Sequence, residues 1–456
     1  MDFVCRAVGT PAAAPAITPS EGGYPSIYRR RNPRASVLYQ LMEAHFEDVK
    51  ACWEERFEKR YGFWRGFVDD VVARYLDCGT VEAGFARLKC DACGVEKLLT
   101  LSCKQRGICP SCDAKRAAAF AAFLKDEILE NVGHSLITFT LPKMLRVYFM
   151  HHRELLSDLA RLAYETIQEL MSEAVDDQDA RPGVVAVPQT FGTLLNPHPH
   201  LHCLASRGVW NAHGCWLPVP YIDTSAAEKL FRQKTLRLLQ QRGLLNDERI
   251  ELLASFRHSG FSVDRSPTVW PQDTEGIERV ARYLLRCPLS LSRIHWMPGA
   301  RTLFYQGKSS HDDPLAMHPE GETLDGFEFI ARLLTQIPEP RRHGMHYFGA
   351  YSSRARTRRK KHGLKLDATS SGHDKPPASD EPSPSSKQRA ALRRRWANLI
   401  KRVFKTDPLL CECGGRFRIL SFITEPKVIR KILDHLQKRQ TPSRAPPRDD
   451  SPLQPS

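Results

Sequence analysis

The stretch Asn196-Pro197-His198-Pro199-His200-Leu201-His202-Cys203 decides how this chain is read. Histidine recurs at every second position in a segment with the composition of a strand. Successive strand side chains point to opposite faces, so His198, His200 and His202 all project from one side, roughly 7 Å apart along the strand. Leu201 then faces the other way, into a packed layer. Three imidazoles on one face of a twisted strand can converge on a divalent cation. The alternative is three surface histidines in a proline-rich loop, and strict alternation weighs against it. The triplet alone names no reaction.

Charge supplies the next constraint. The 456 residues carry 67 Lys+Arg against 52 Asp+Glu, a formal charge of +15. Such an excess favours a polyanionic partner, nucleic acid before membrane. No apolar run approaches the roughly 18 residues of a membrane-crossing helix. The Ala/Pro-rich start, Met1 to Gly23, lacks a charged region followed by an apolar core, so no signal peptide is expected. A cytoplasmic protein follows, and its 13 cysteines are then thiols or metal ligands instead of disulfides.

The cysteines cluster upstream of the histidines. Cys90-x2-Cys93 and Cys109-x2-Cys112, separated by 15 residues, have the spacing of a structural zinc site with two knuckles. Each pair offers two thiolates from a tight turn, and the four complete a tetrahedral shell. Cys78 and Cys103 are left over on this reading: they could replace a ligand or hold a second ion, but buried free thiols are the expected state. Around the pairs stand Arg87, Lys89, Lys104, Arg106, Lys115 and Arg116; a basic rim of this kind can bind DNA phosphates. A purely structural ribbon is the competing reading. Cys411-x-Cys413 has one intervening residue and no second pair nearby, so it is expected to be a degenerate knuckle or a plain turn at Gly414-Gly415.

Helical and strand patterns alternate without a regular βαβ rhythm, which predicts an α+β fold. Residues 1–32 have a disordered composition, 33–125 hold helices and the cysteine pairs, and 126–352 hold the strand-rich histidine region. A basic, then Ser/Pro-rich linker covers 353–390, a small helical unit with the odd cysteine pair 391–440, and a tail 441–456.

Downstream, a helix over Asp273 to Arg286 carries Tyr283 among Arg279, Arg282 and Arg286. A tyrosine is a weak nucleophile at its free pKa of about 10, and a metal that polarises the electrophile makes it useful. Beside a histidine-rich metal strand this pattern fits attack on a phosphodiester, leaving a 5′-phosphotyrosine and a free 3′-OH. Without the histidines, Tyr283 would be read as a core residue of an amphipathic helix.

Together these pieces resemble the rolling-circle insertion-sequence transposases of family ninety-one. The resemblance is carried by Tyr75-Leu76-Asp77-Cys78-Gly79, Ser102-Cys103-Lys104-Gln105-Arg106-Gly107, Cys109-Pro110-Ser111-Cys112, His198-Pro199-His200-Leu201-His202, Ala281-Arg282-Tyr283-Leu284-Leu285-Arg286 and Tyr347-Phe348-Gly349-Ala350-Tyr351-Ser352. It implies a zinc-binding N-terminal domain and a His-hydrophobic-His (HUH) nuclease domain built on an antiparallel sheet. It also implies His200 and His202 as ligands of a catalytic Mg²⁺ or Mn²⁺, and Tyr283 as the nicking residue. The implied substrates are single-stranded DNA at element ends and target DNA. His198 as third ligand rests on strand geometry. Some relatives carry two tyrosines one turn apart; here the i−4 position of Tyr283 is Arg279, which implies a one-tyrosine enzyme. A replication initiator or relaxase shares this chemistry, and a non-catalytic zinc-ribbon DNA-binding protein would share the cysteines and the charge.

Overall fold

The computed structural model describes residues 26–27, 32–219, 221–307, 321–363, 366 and 406–440. Its centre is a five-stranded antiparallel sheet in the order His346–Gly349, Gly183–Phe191, Pro197–Ser206, His134–Thr140, Ser262–Val269. The histidine strand, Pro197–Ser206, therefore lies in the middle, hydrogen-bonded on both edges. Such a strand is buried on both faces, and from Pro199 onward every residue of it is.

Alternation divides the strand between two cores. Leu201, Cys203 and Ala205 join Ile137, Phe139, Val184 and Ala186 under the helices Leu155–Ala174 and Thr224–Gln241. Leu204, on the opposite face, joins Leu136, Val185 and Val187 under the helices Pro110–Phe123 and Thr274–Leu284. His200 and His202 share this second face with Leu204. The sheet thus holds the histidines against the helix that carries Tyr283.

The expected helices between Val37 and Leu76 form as Val37–Ala51, Trp53–Arg56, Glu58–Tyr61 and Phe67–Leu76. Their apolar faces do not form a core of their own. They pack with Leu303, Tyr305, Phe329, Ile330, Leu333 and Leu334 from the far side of the sequence. Arg332, nearly buried, is held by Glu322 at 2.8 Å and Glu328 at 2.9 Å, and Tyr61 donates to Glu328 at 2.7 Å. A buried guanidinium needs both carboxylates to offset its desolvation.

Two local expectations shift. The strand expected near Arg257 to Val263 begins instead at Ser262, because Asp247–Ser255 is a helix capped by the Asn246 side chain on Arg249 N. The basic run Arg354 to Lys361, expected as linker, is a helix, Ser353–His362. Ser352 caps its start, and Gly363 ends it in the left-handed conformation at φ 64°. The expected helical unit at Arg393 to Phe404, the Ser/Pro-rich stretch and the tail lie outside the described residues. Among the described residues no helix is long and apolar enough to cross a membrane.

At the start of its strand, His134 is fully buried, with Nε2 2.6 Å from Tyr351 Oη. Burial lowers its pKa from 6.5 to about 3. The unfolded chain then takes up the proton first, so this contribution to stability is complete above pH 6.5 and is lost as the pH falls towards 3. The expected slope is up to about 1.4 kcal/mol per pH unit. Denaturant titrations between about pH 4 and 7 should give a shallower dependence for His134→Gln; an identical slope would contradict a neutral buried imidazole.

Candidate active site and zinc centres

Tyr283 owes its position to the helix Thr274–Leu284. Asp273 caps that helix by accepting from Gly276 N at 2.7 Å, and Ile277, Ala281 and Leu284 form its buried stripe. Tyr283 lies off this stripe and is 41% exposed, which removes the core-residue reading. Its ring centroid is 4.7 Å from that of His202, which is 4.8 Å from His200, and His200 is 5.1 Å from His198. The three histidines and the tyrosine form one continuous row, in which the three imidazoles do not bring their nitrogens within 4.8 Å of one another as the cysteine groups bring their sulfurs.

The hydrogen bonds orient two of these rings. His200 Nδ1 is 2.7 Å from the His198 carbonyl, which can only accept, so the proton sits on Nδ1 and Nε2 keeps its lone pair. His202 Nδ1 meets Thr138 Oγ1 at 3.1 Å, while its buried Nε2 has no partner among the described residues. A buried ring nitrogen without a partner is costly unless something occupies its lone pair. Burial also holds both rings neutral, His200 at a pKa of about 3 and His202 well below 6.5. Neutral imidazoles with available Nε2 atoms suit a divalent cation.

Gln189 was not foreseen. It stands opposite His200 in the sheet and is buried. Its Nε2 donates to the carbonyls of Tyr283 at 2.9 Å and Leu284 at 3.1 Å, satisfying the open C-terminal end of the tyrosine helix. Its Oε1 accepts from Arg286 Nε at 3.1 Å, and that guanidinium lies 5.1 Å from the centroids of both the Tyr283 and Phe191 rings. One amide thus locks the helix end and the arginine to the histidine layer. Gln189→Leu removes these bonds and is expected to slow any reaction of Tyr283 about 10- to 100-fold in single-turnover rate, with zinc content unchanged. A rate within twofold of the parent would show that the tyrosine is positioned by other means.

Of the remaining basic candidates, Arg279 pairs with Asp273 and Glu275, Arg282 with Glu278, and Arg87 with Glu96. Arg279 and Arg282 are largely exposed on the tyrosine helix, while Arg87 and the exposed Lys104 belong to the cysteine region. Arg106 donates to the backbone carbonyls of Glu339 and Arg342 and lines a cleft next to Gln189.

The cysteines group differently from the expected single shell. Cys109 and Cys112 gather with Cys78 and Cys103, whereas Cys90 and Cys93 gather with Cys411 and Cys413. Cys103–Cys112, Cys90–Cys413 and Cys93–Cys411 sulfurs are 3.5, 3.6 and 3.7 Å apart. These separations far exceed a disulfide bond of about 2.05 Å. They match the edge of a tetrahedron, about 3.8 Å for Zn–S bonds of ~2.3 Å. Cys78 and Cys103 are therefore members of a cluster, and Cys411-x-Cys413 is half of one.

The reason is the hairpin between the pairs. Strands Phe85–Cys90 and Glu96–Thr100 run antiparallel, so Cys90 and Cys93 sit at the tip while the chain returns to Cys103 at the base. Five residues at ~3.3 Å per residue place the two ends roughly 16 Å apart. The strand Phe417–Ile423 adds to this hairpin, pairing Phe417 with Cys90 and bringing Cys411 and Cys413 to the tip. Both knuckles close alike: Gly94 N donates to Cys90 O and Gly414 N to Cys411 O, each at 3.0 Å. A Cβ on Gly415 would lie 2.7 Å from Ala92 Cβ and 3.0 Å from Cys90 Sγ, so glycine permits the close approach. In the first cluster, Cys109 and Cys112 open the helix Pro110–Phe123, whose N-terminal dipole favours thiolates.

Two families match separate stretches of the chain. Residues 48–141 match the family described as "Transposase zinc-binding domain", and residues 183–360 match the family described as "Putative transposase". The transposase for insertion sequence element IS801 of Pseudomonas savastanoi pv. phaseolicola is 26% identical over 320 residues, 66% of this chain and 74% of that protein. The "Putative transposase y4qJ" of Sinorhizobium fredii is 26% identical over 300 residues, 61% of this chain and 73% of that protein. No solved structure matches. A transposase zinc-binding domain followed by a second transposase domain makes this chain a transposase, similar to the insertion-sequence transposases of family ninety-one.

Proposed function

We propose that this transposase nicks single-stranded DNA at the ends of its element through a covalent bond to Tyr283, and then transfers the strand. The observation that supports this reading best is the row formed by an exposed Tyr283, a neutral His202 with an unpartnered Nε2, and His200. His200 and His202, with His198 as third ligand, would hold Mg²⁺ or Mn²⁺, which supplies charge neutralisation at the non-bridging phosphate oxygens. Tyr283 Oη forms a bond to phosphorus as the bond from phosphorus to the 3′-oxygen breaks. The phenolic proton passes through solvent to the departing 3′-oxygen. One phosphodiester replaces another, so a later attack by a 3′-OH can rejoin DNA without ATP. Arg286, fixed between two rings and Gln189, places a guanidinium beside the phenol. Acting on genomic DNA puts the protein in the bacterial cytoplasm.

The test is a denaturing gel of the purified protein with labelled single-stranded oligonucleotides from both flanks of its gene, plus Mn²⁺. A covalent band is expected, and peptide mapping should find the nucleotide on Tyr283. DNA on another residue would move the nucleophile away from Tyr283, and binding without any adduct would remove this reading in favour of a non-catalytic DNA-binding protein.

A further inference from the structure

Next to Gln189, a cleft opens between the segment that carries Cys109 and Cys112 and the five-stranded sheet. Five arginines line it: Arg106, Arg116, Arg153, Arg286 and Arg342. They come from four separate parts of the chain, so no single amphipathic helix explains their gathering. Two carboxylates face them, and both are engaged: Asp113 accepts from Gly107 N at 3.0 Å, and Glu339 pairs with Arg342. Arg116 is half-buried and has no hydrogen-bond or ion-pair partner among the described residues. Burial works against these charges: Arg116 is lowered by burial and by Arg106 against the attraction of Asp113, and Arg153 is lowered by burial, with Glu339 opposing the shift and Arg342 adding to it. Five guanidiniums, one of them without a hydrogen bond of its own, face two carboxylates and form a site that an anion would complete.

The walls of the cleft suggest which anion. One wall is the segment Arg106 to Arg116, shaped by Cys109 and Cys112. The other includes Leu284, Leu285 and Arg286, the three residues that follow Tyr283. An extended strand held at Tyr283 can continue past the helix end into the cleft. We propose that this cleft binds consecutive phosphates of the DNA single strand next to the phosphate that Tyr283 attacks, with the first zinc cluster shaping one wall. The assignment rests on the nicking reading for its position and makes the zinc domain part of the strand path.

The experiment measures binding without chemistry. Fluorescence anisotropy would follow labelled single-stranded flank oligonucleotides on Tyr283→Phe protein without divalent cation, in parallel with Arg116→Gln and Arg342→Gln added to it. These two positions lie on different elements, and zinc content verifies that each variant folds. Each is expected to weaken binding about 5- to 20-fold and to reduce the log–log salt slope by about 0.7 for each phosphate no longer neutralised. Arg116→Lys should restore part of the affinity. Unchanged affinity and slope in both glutamine variants overturn the proposal. So does a loss of inorganic pyrophosphate binding alone, which would mark a site for a free anion. If the parent chain forms its adduct while both variants bind normally, nicking stands and the cleft assignment falls. If the variants lose binding although no adduct ever forms, the cleft stands and the nicking reading falls.

Discussion

Tyr283→Phe is expected to remove covalent adduct formation below detection while leaving single-strand affinity within about twofold. The substitution deletes one hydroxyl from an exposed ring, so the stripe of Ile277, Ala281 and Leu284 that seats the helix is untouched. The ring contacts with His202 and Arg286 survive, because they belong to the aromatic face. Only the nucleophilic oxygen is lost, and with Arg279 at i−4 there is no second tyrosine one turn away to replace it. His202→Ala is expected to act differently. It removes an imidazole held by Thr138 and lowers the adduct rate by at least about 100-fold, consistent with the loss of one ligand. Raising the Mn²⁺ concentration should recover part of the His202→Ala rate and none of the Tyr283→Phe rate. Single-turnover gels across a Mn²⁺ series separate the two. An adduct in Tyr283→Phe would mean that another residue attacks.

Metal analysis of the purified chain is expected to give two zinc ions per molecule, and Cys413→Ser should lower this to one. The two clusters should differ in what they hold. Cys109 and Cys112 lie in the main core of the N-terminal helices, among Leu38, Phe46 and Ile108. Zinc binding in small modules contributes on the order of 10 kcal/mol, so Cys109→Ser should unfold that half of the molecule. The second cluster sits over a small apolar group that includes Leu88, Leu99, Leu409 and Phe417. Cys413→Ser should therefore leave the five-stranded sheet folded and release Phe417–Ile423 from Phe85–Cys90. Limited proteolysis would detect this as rapid loss of the C-terminal segment. A single zinc ion in the parent chain, or two in Cys413→Ser, would contradict the separate clusters.

Part of this architecture was legible in the sequence because it follows from local periodicity. Alternation at His198, His200 and His202 puts their side chains on one face, and the capping Asp273 with its apolar stripe places the tyrosine helix. The cysteine grouping was not legible from spacing. Spacing measures distance along the chain, while the hairpin from Phe85 to Thr100 sends neighbouring pairs to opposite ends. The partner of Cys90 and Cys93 comes from a strand whose pairing is wholly non-local. Gln189 was hidden for a related reason. A glutamine inside an apolar strand carries no periodic signal, and its role exists only once three strands and a helix end meet. The cleft has the same origin, since its arginines are distant in sequence.

The second cluster also sets an order of events during synthesis. Cys93 and Cys411 are 318 residues apart. At ~5–20 residues per second, the first knuckle leaves the ribosome roughly 16 to 64 s before its partner. During that interval the edge of Phe85–Cys90 that later receives Phe417–Ile423 is without its strand, and Cys90 and Cys93 hold only half a coordination shell. Closure waits until the histidine strand and the tyrosine helix have been made. This late-made segment thus fastens the cysteine hairpin made about 300 residues earlier, after the five-stranded sheet between them has had time to fold.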